Sequence, residues 1–161
     1  MTSARPSSES CHPPAGRSQI ERRNVATALT LFGQGWGARP GWEDVWKRVF
    51  DPDIVSRFHA FPPIRGLEAA MAFNADLFAG FPDLKVAITS VTAESDTVVV
   101  QSRLTGRHEG AFLNVSASGA SVDVPDVTIL RFGADGRILE SRYFTDLLAV
   151  MTTIGAVPAV A

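Results

Sequence analysis

"SVDVPDVTILRFGADGRILESRYFTDLLAVM", residues 121–151, holds two runs of alternating apolar and polar residues joined by a tight turn. A period of two marks a strand, because successive side chains leave a pleated backbone on opposite faces. Asp135-Gly136 between the runs is a strong hairpin signal, so 121–132 and 137–144 are expected to pair antiparallel. Thr145-Asp146 stands before "LLAVM", where short polar side chains cap a helix N-terminus.

Strand parity sorts the side chains. One face of 121–132 carries Val122, Val124, Asp126, Thr128 and Leu130; the other carries Asp123, Pro125, Val127, Ile129 and Arg131. Neither face is wholly apolar, so parity alone leaves open which one points inward. Pro125 cannot donate to a ladder and is expected at an edge or a bulge, and a bulge would re-aim its neighbour Asp126. In 137–144, Leu139, Ser141 and Tyr143 share one face, while Ile138, Glu140, Arg142 and Phe144 share the other.

Upstream, "LKVAITSVTAES" (84–95) and "DTVVVQSRLTGRHEG" (96–110) read as two further strands around a Ser-Asp turn. The first half has helical spacing instead. Residues 17–38 place Ile20, Asn24, Thr27, Ala28 and Leu31 at helical intervals before the Gly-rich "GQGWGARPG". "WEDVWKRVF" spaces Trp42, Val45, Trp46 and Val49 on one face, and Asp51-Pro52 breaks that helix. "IVSRFHAF" (54–61) is a short early strand, and Gly66 opens a third helix that stops at Gly80 and Pro82.

Runs of helices followed by runs of strands argue for an α+β fold. The expected form is a cone-shaped curved antiparallel sheet, with N-terminal helices covering its concave face. Its apolar interior would be a natural ligand cavity, so function is sought in polar side chains that alternate inward. Trp42, Trp46, Phe58, Phe73, Phe78 and Phe81 are expected in the core and pocket wall.

The 161 residues are 45% hydrophobic and 20% charged with a net charge of −2, which suits one domain, placed at 18–156. Residues 1–17, rich in Ser and Pro, are expected to form a disordered tail, and 157–161 a short C-terminal tail. The charge offers no basic field to nucleic acid or an anionic membrane. No run approaches the roughly 20 apolar residues of a membrane span, and the start lacks a secretory signal, so a cytoplasmic protein is expected. Cys11, the only cysteine, excludes an internal disulfide and a cysteine metal cluster. His59, His108 and Glu109 lack compact ligand spacing, so no metal is expected. Val127 and Ile129 on an uncovered outer face predict a homodimer.

Together the helix-rich first half, "FAGFPDLKV" (78–86), "LTGRHEG" (104–110) and "DGRILESRYFTDLLAVMTTIG" (135–155) resemble the SnoaL-like polyketide cyclases, over roughly Ile20 to Gly155. These belong to the superfamily of α+β cones that includes ketosteroid isomerase. The resemblance implies a cofactor-free enzyme of natural-product biosynthesis with a pocket for a hydrophobic, polyketide-like small molecule. The family's cyclases close a ring by aldol addition, an aspartate removing a proton from carbon; other members hydroxylate or open epoxides. Their aspartate sits on the last strand, at the place Tyr143 occupies here. Asp146 matches an aspartate common across the branch, and Asp126 and Thr128 fall at two pocket-lining positions of the penultimate strand.

Asp126 is therefore the expected acid–base group, its carboxyl raised by an apolar surround. Tyr143 is a candidate donor to a developing enolate or alkoxide, and His59 a proton relay at the cavity mouth. Thr128, Arg103, Arg57, Asp146 and His108 are candidate substrate contacts: Arg103 and Arg57 for a carboxylate or enolate, His108 in a structural role or at the rim, Asp146 as helix cap or base. The function expected is cyclisation or isomerisation. The rivals are epoxide opening or hydroxylation, and a non-catalytic binding domain, since one fold serves many roles.

Overall fold

The computed structural model describes residues 16–158; most of the N-terminal tail, with Cys11, and residues 159–161 lie outside the described residues. Helix α1 (Gln19–Gln34) starts at a capping box: the Ser18 hydroxyl accepts from the Glu21 amide, and the Glu21 carboxylate accepts from the Ser18 amide. The other Glu21 oxygen accepts from Ser95 N at 3.0 Å, pinning the helix start to the turn between two strands. These backbone bonds hold its carboxyl below the ordinary range. Asn24, Val25, Ala28, Leu31 and Phe32 form the buried stripe, whereas Ile20 is exposed.

Helix α2 (Trp42–Val49) buries all four residues its spacing selects: Trp42, Val45, Trp46 and Val49. Strand β1 (Phe50–Phe58) follows at once. It begins ahead of the expected 54–61 and runs through Asp51-Pro52, where its register with the last strand shifts between Phe50 and Val55. The two-residue strand β2 (Ile64–Arg65) precedes α3 (Leu67–Gly80). Then come β3 (Lys85–Glu94), β4 (Thr97–Arg107), β5 (Ser121–Phe132), β6 (Ile138–Thr145) and α4 (Leu147–Thr153).

The sheet order is β2-β1-β6-β5-β4-β3. The meander β3 to β6 is antiparallel as expected, but β1 pairs parallel with β6, so the open sheet is mixed. Helix α1 packs on β3 and β4, and α3 on β1, giving the α+β cone.

Burial decides the inner face of β5. Val122, Val124, Asp126, Thr128, Leu130 and Phe132 are all buried. Pro125 makes no bulge: β4 and β5 pair without a break through Arg103↔Pro125. It is tolerated because the β6 ladder ends at Asp126↔Thr145, leaving Pro125 a free edge on that side. The bulge lies in β6, where the register steps from Arg131↔Glu140 to Phe132↔Ile138 and leaves Leu139 unpaired. Ile138 is thereby buried on the same face as Ser141 and Tyr143, against strict alternation.

The β5–β6 turn carries Gly136 at φ 87°, and Arg23 of α1 donates to the Gly133 and Ala134 carbonyls there. A Cβ on Gly136 would stand 2.8 Å from Arg23 Nε. Gly136→Ala should therefore lower stability by roughly 1–2 kcal/mol, from the left-handed backbone cost alone. Urea denaturation should show a reduced midpoint at an unchanged slope.

Candidate functional site

A cavity of about 470 Å³ opens between the helices and the inner face of the sheet. Its walls are aromatic: Phe32 and Trp36 from α1 and the loop after it, Phe58 and Phe61 around the end of β1, Phe73 from α3, and Phe112 from the β4–β5 loop. Asp126, Tyr143 and Thr145 bring polar atoms to it from β5 and β6.

Asp126 is 4% exposed. Its Oδ2 accepts from the Thr128 hydroxyl at 2.9 Å, and its Oδ1 accepts a short bond from the Thr145 hydroxyl. Ser102 lies directly opposite on β4; its buried hydroxyl makes no hydrogen bond but still favours the charged form of the same carboxylate. Burial pushes the carboxyl above its ordinary range, and the hydroxyls of Thr145, Thr128 and Ser102 pull it part of the way back.

Tyr143 is 3% exposed. Its ring stacks on Phe58 at 4.4 Å and meets Trp36 edge-on at 5.7 Å. The hydroxyl is buried with no hydrogen-bond partner. Burial holds the phenol above its ordinary range, so it remains a donor.

The remaining expected residues separate into two groups. His59, in the turn after β1, is exposed, packs on Phe144 at 4.1 Å and lines the rim of the cavity. Asp146 also lines it, and its Oδ1 caps α4 by accepting from Ala149 N at 2.9 Å. The other four are directed elsewhere. Thr128 is fully buried with its hydroxyl committed to Asp126, so it acts on the carboxylate and not as a cavity wall. Arg103 and Arg57 sit on the outer face by strand parity, paired with Asp123 and Glu140 at 2.8 Å each. His108 is fully buried rather than at the rim; Ser118 N donates to its Nδ1 at 3.2 Å, and its ring packs on Phe81.

Sequence reasoning missed Thr145 and Trp36. Thr145 shares the parity of Tyr143, which is the signal that marks it as inward-facing, although its place beside Asp146 also suits helix capping. Trp36 sits in a Gly-rich stretch that reads as a helix stop. Among the described residues, no group of three or more His, Cys, Asp or Glu side chains is placed to hold a metal ion, and no helix is long and apolar enough to cross a membrane.

A sequence model of the family described as SnoaL-like polyketide cyclase matches residues 21–154. No curated protein matches the chain. Among solved structures, a candidate SnoaL-like polyketide cyclase from Jannaschia sp. CCS1 is 55% identical, with a TM-score of 0.85 over 90% of this chain and 100% of that one. AclR, a candidate hydroxylase from Streptomyces galilaeus, is 24% identical with a TM-score of 0.70, over 88% and 86% of the two chains. IdmH, a candidate polyketide cyclase from Streptomyces antibioticus, is 20% identical with a TM-score of 0.68, over 82% and 98%. The last two speak to the fold alone.

The raised Asp126 carboxyl has a consequence for stability. A group that titrates higher when folded binds its proton more tightly in the native state. Its favourable contribution is complete below the unfolded carboxylate range and is lost as pH rises through the folded value. Asp126→Asn removes that loss. Its melting temperature relative to wild type should therefore rise as pH increases above the ordinary aspartate value of about 4. Calorimetry across that range checks the sign; a flat difference would contradict it.

Proposed function

The chain belongs to the SnoaL-like polyketide cyclase family, and from that premise we propose that it is a cofactor-free enzyme that cyclises or isomerises a hydrophobic polyketide-type small molecule by acid–base chemistry at Asp126. One observation carries the reading: a buried carboxyl, raised by desolvation, is the acidic group on the floor of a mainly aromatic cavity. Buried carboxyls with perturbed titration in a concave apolar site are what proton transfer near neutral pH calls for.

In the ionised form Asp126 removes a proton from carbon next to a carbonyl, and the C–H electron pair moves onto the carbonyl oxygen as an enolate. Tyr143 donates its unpaired hydroxyl to that oxygen. A buried donor left without an acceptor costs about 1–3 kcal/mol, which a bound substrate oxygen would recover. In cyclisation the enolate carbon then attacks a second carbonyl of the same molecule, and the new alkoxide takes the proton back from Asp126. In isomerisation the proton returns to another carbon. His59 orients a substrate oxygen at the rim, and Asp146 lines the same cavity.

A second reading rests on Tyr143 standing where the family's cyclases carry their aspartate. A protonated Asp126 with a phenol donor also suits protonation of an epoxide oxygen, followed by attack of water. Mass spectrometry separates the two: cyclisation conserves the substrate mass, and epoxide hydrolysis adds the elements of water.

The proposed assembly is a cytoplasmic homodimer through the outer face of the sheet, where Val127, Ile129 and the exposed Phe144 lie. Light scattering at micromolar concentration should give twice the chain mass. Incubation with a polycyclic β-ketoester should give a ring-closed or isomerised product, and Asp126→Asn should slow its formation by about 10²-fold or more. Wild-type turnover in that variant would remove Asp126 from the mechanism.

A further inference from the structure

We propose that Thr145 is a positioning residue for Asp126, and that the Asp146 cap of α4 fixes where Thr145 stands. The inference rests on the acid–base reading above for its purpose, though not for its geometry. Asp126↔Thr145 is the last pair of the β5–β6 ladder, so the two side chains share the inner face at the point where β6 ends. The Thr145 hydroxyl donates to Oδ1 and the Thr128 hydroxyl to Oδ2, so the carboxylate is held from a neighbouring strand and from its own. Two fixed donors restrict rotation of the carboxyl and hold one orientation toward the cavity.

The junction after Thr145 is equally constrained. Asp146 accepts from Ala149 N, and its own carbonyl accepts from Val150 N at 3.1 Å. Val150 and Ile154 anchor the short helix in the core. The cap thus determines the path of the chain immediately after Thr145. Asp146 reaches Asp126 through structure, one residue removed, and need not move a proton itself.

The polar side chains around Asp126 are Ser102 on β4, Thr128 on β5, and Tyr143 and Thr145 on β6; His59 and Asp146 line the same cavity. Each hydroxyl bond to the carboxylate favours its charged form. Removing one should move the titration upward, whereas a merely structural threonine would leave it unmoved.

The test uses the free protein labelled with ¹³C at aspartate carboxyls, the Asp126 signal being assigned by its loss in Asp126→Asn. In Thr145→Val the Asp126 midpoint should rise, and in Thr145→Ser, which keeps the hydroxyl, it should return to the wild-type value. Asp146→Ala should move it the same way as Thr145→Val, while Asp146→Asn, an equally good cap, should not. An unchanged midpoint in Thr145→Val overturns the positioning role, and movement in Asp146→Asn overturns the link through the cap. The result stands apart from the acid–base reading: wild-type turnover by Asp126→Asn would end that reading and leave this titration intact.

Discussion

The unpaired residue in β6 sets the identity of every side chain that strand offers to the interior. Side chains alternate with a period of two, so a slip of one residue exchanges the two faces of a strand. Because the extra residue is Leu139, Ile138 can close the core while Ser141, Tyr143 and Thr145 all point inward after it. Tyr143 then pairs with Thr128 and Thr145 with Asp126. The same step sends Glu140 and Arg142 outward. There the Glu140 carboxylate gathers Arg142, Arg57 and Arg131, which hold its carboxyl down at about 2. Cationic charge is thus collected on the outer face, and neutral donors are left within.

The aromatic side of the cavity depends on glycine in a comparable way. Trp36 contacts Phe32, Trp46, Phe78 and Tyr143. It enters the core from an irregular loop, because the backbone on either side lies too close to its neighbours for a side chain. A Cβ on Gly35 would stand 2.9 Å from the Leu31 carbonyl, and one on Gly37 2.8 Å from that of Leu84. Gly37 also takes a φ of 86°. The Trp46 indole donates to the Gly35 carbonyl at 2.7 Å, which ties α2 to that loop. The glycines end a helix, as their composition suggests, and they also admit the wall of the site.

Much of this was legible in the residues and some could not be. Periodicity located α1, α2 and the four long strands, because a face buried against one core must repeat with the backbone period, while Gly66 and the Gly80 and Pro82 stop marked α3. It failed where the backbone departs from that period: at Leu139, and at Asp51-Pro52, where β1 keeps running past a proline. The parallel pairing of β1 with β6 joins residues some 85 positions apart, and no local pattern encodes it. Asp126 and Tyr143 stand out by the places they take in the family resemblance, and Arg57 and Arg103 by their charge; parity could not say which of them point inward, since which face is inside depends on the helices that cover it. His108 is a motif residue whose interior position follows from the fold of the 108–120 loop, a tertiary fact.

The balance at Asp126 sets what the cavity can do. Burial alone would keep the carboxyl protonated and make it a poor base; hydrogen bonds alone would stabilise the anion and weaken its pull on a C–H bond. Desolvation is the larger influence here, and three hydroxyls oppose it. No lysine or arginine lines the cavity among the described residues, so in the proposed reaction negative charge passed to a substrate would be met by neutral donors. Hydrogen bonds aimed by a rigid frame in a dry site are more effective than the same bonds in water, because nothing has to reorganise when the charge arrives. The frame here is the end of the β5–β6 ladder together with the capped helix that follows it. In the proposed reaction a carboxylate that takes up a proton as it passes its charge on, and then returns that proton, depends less on any single neighbour than on how firmly that corner is held.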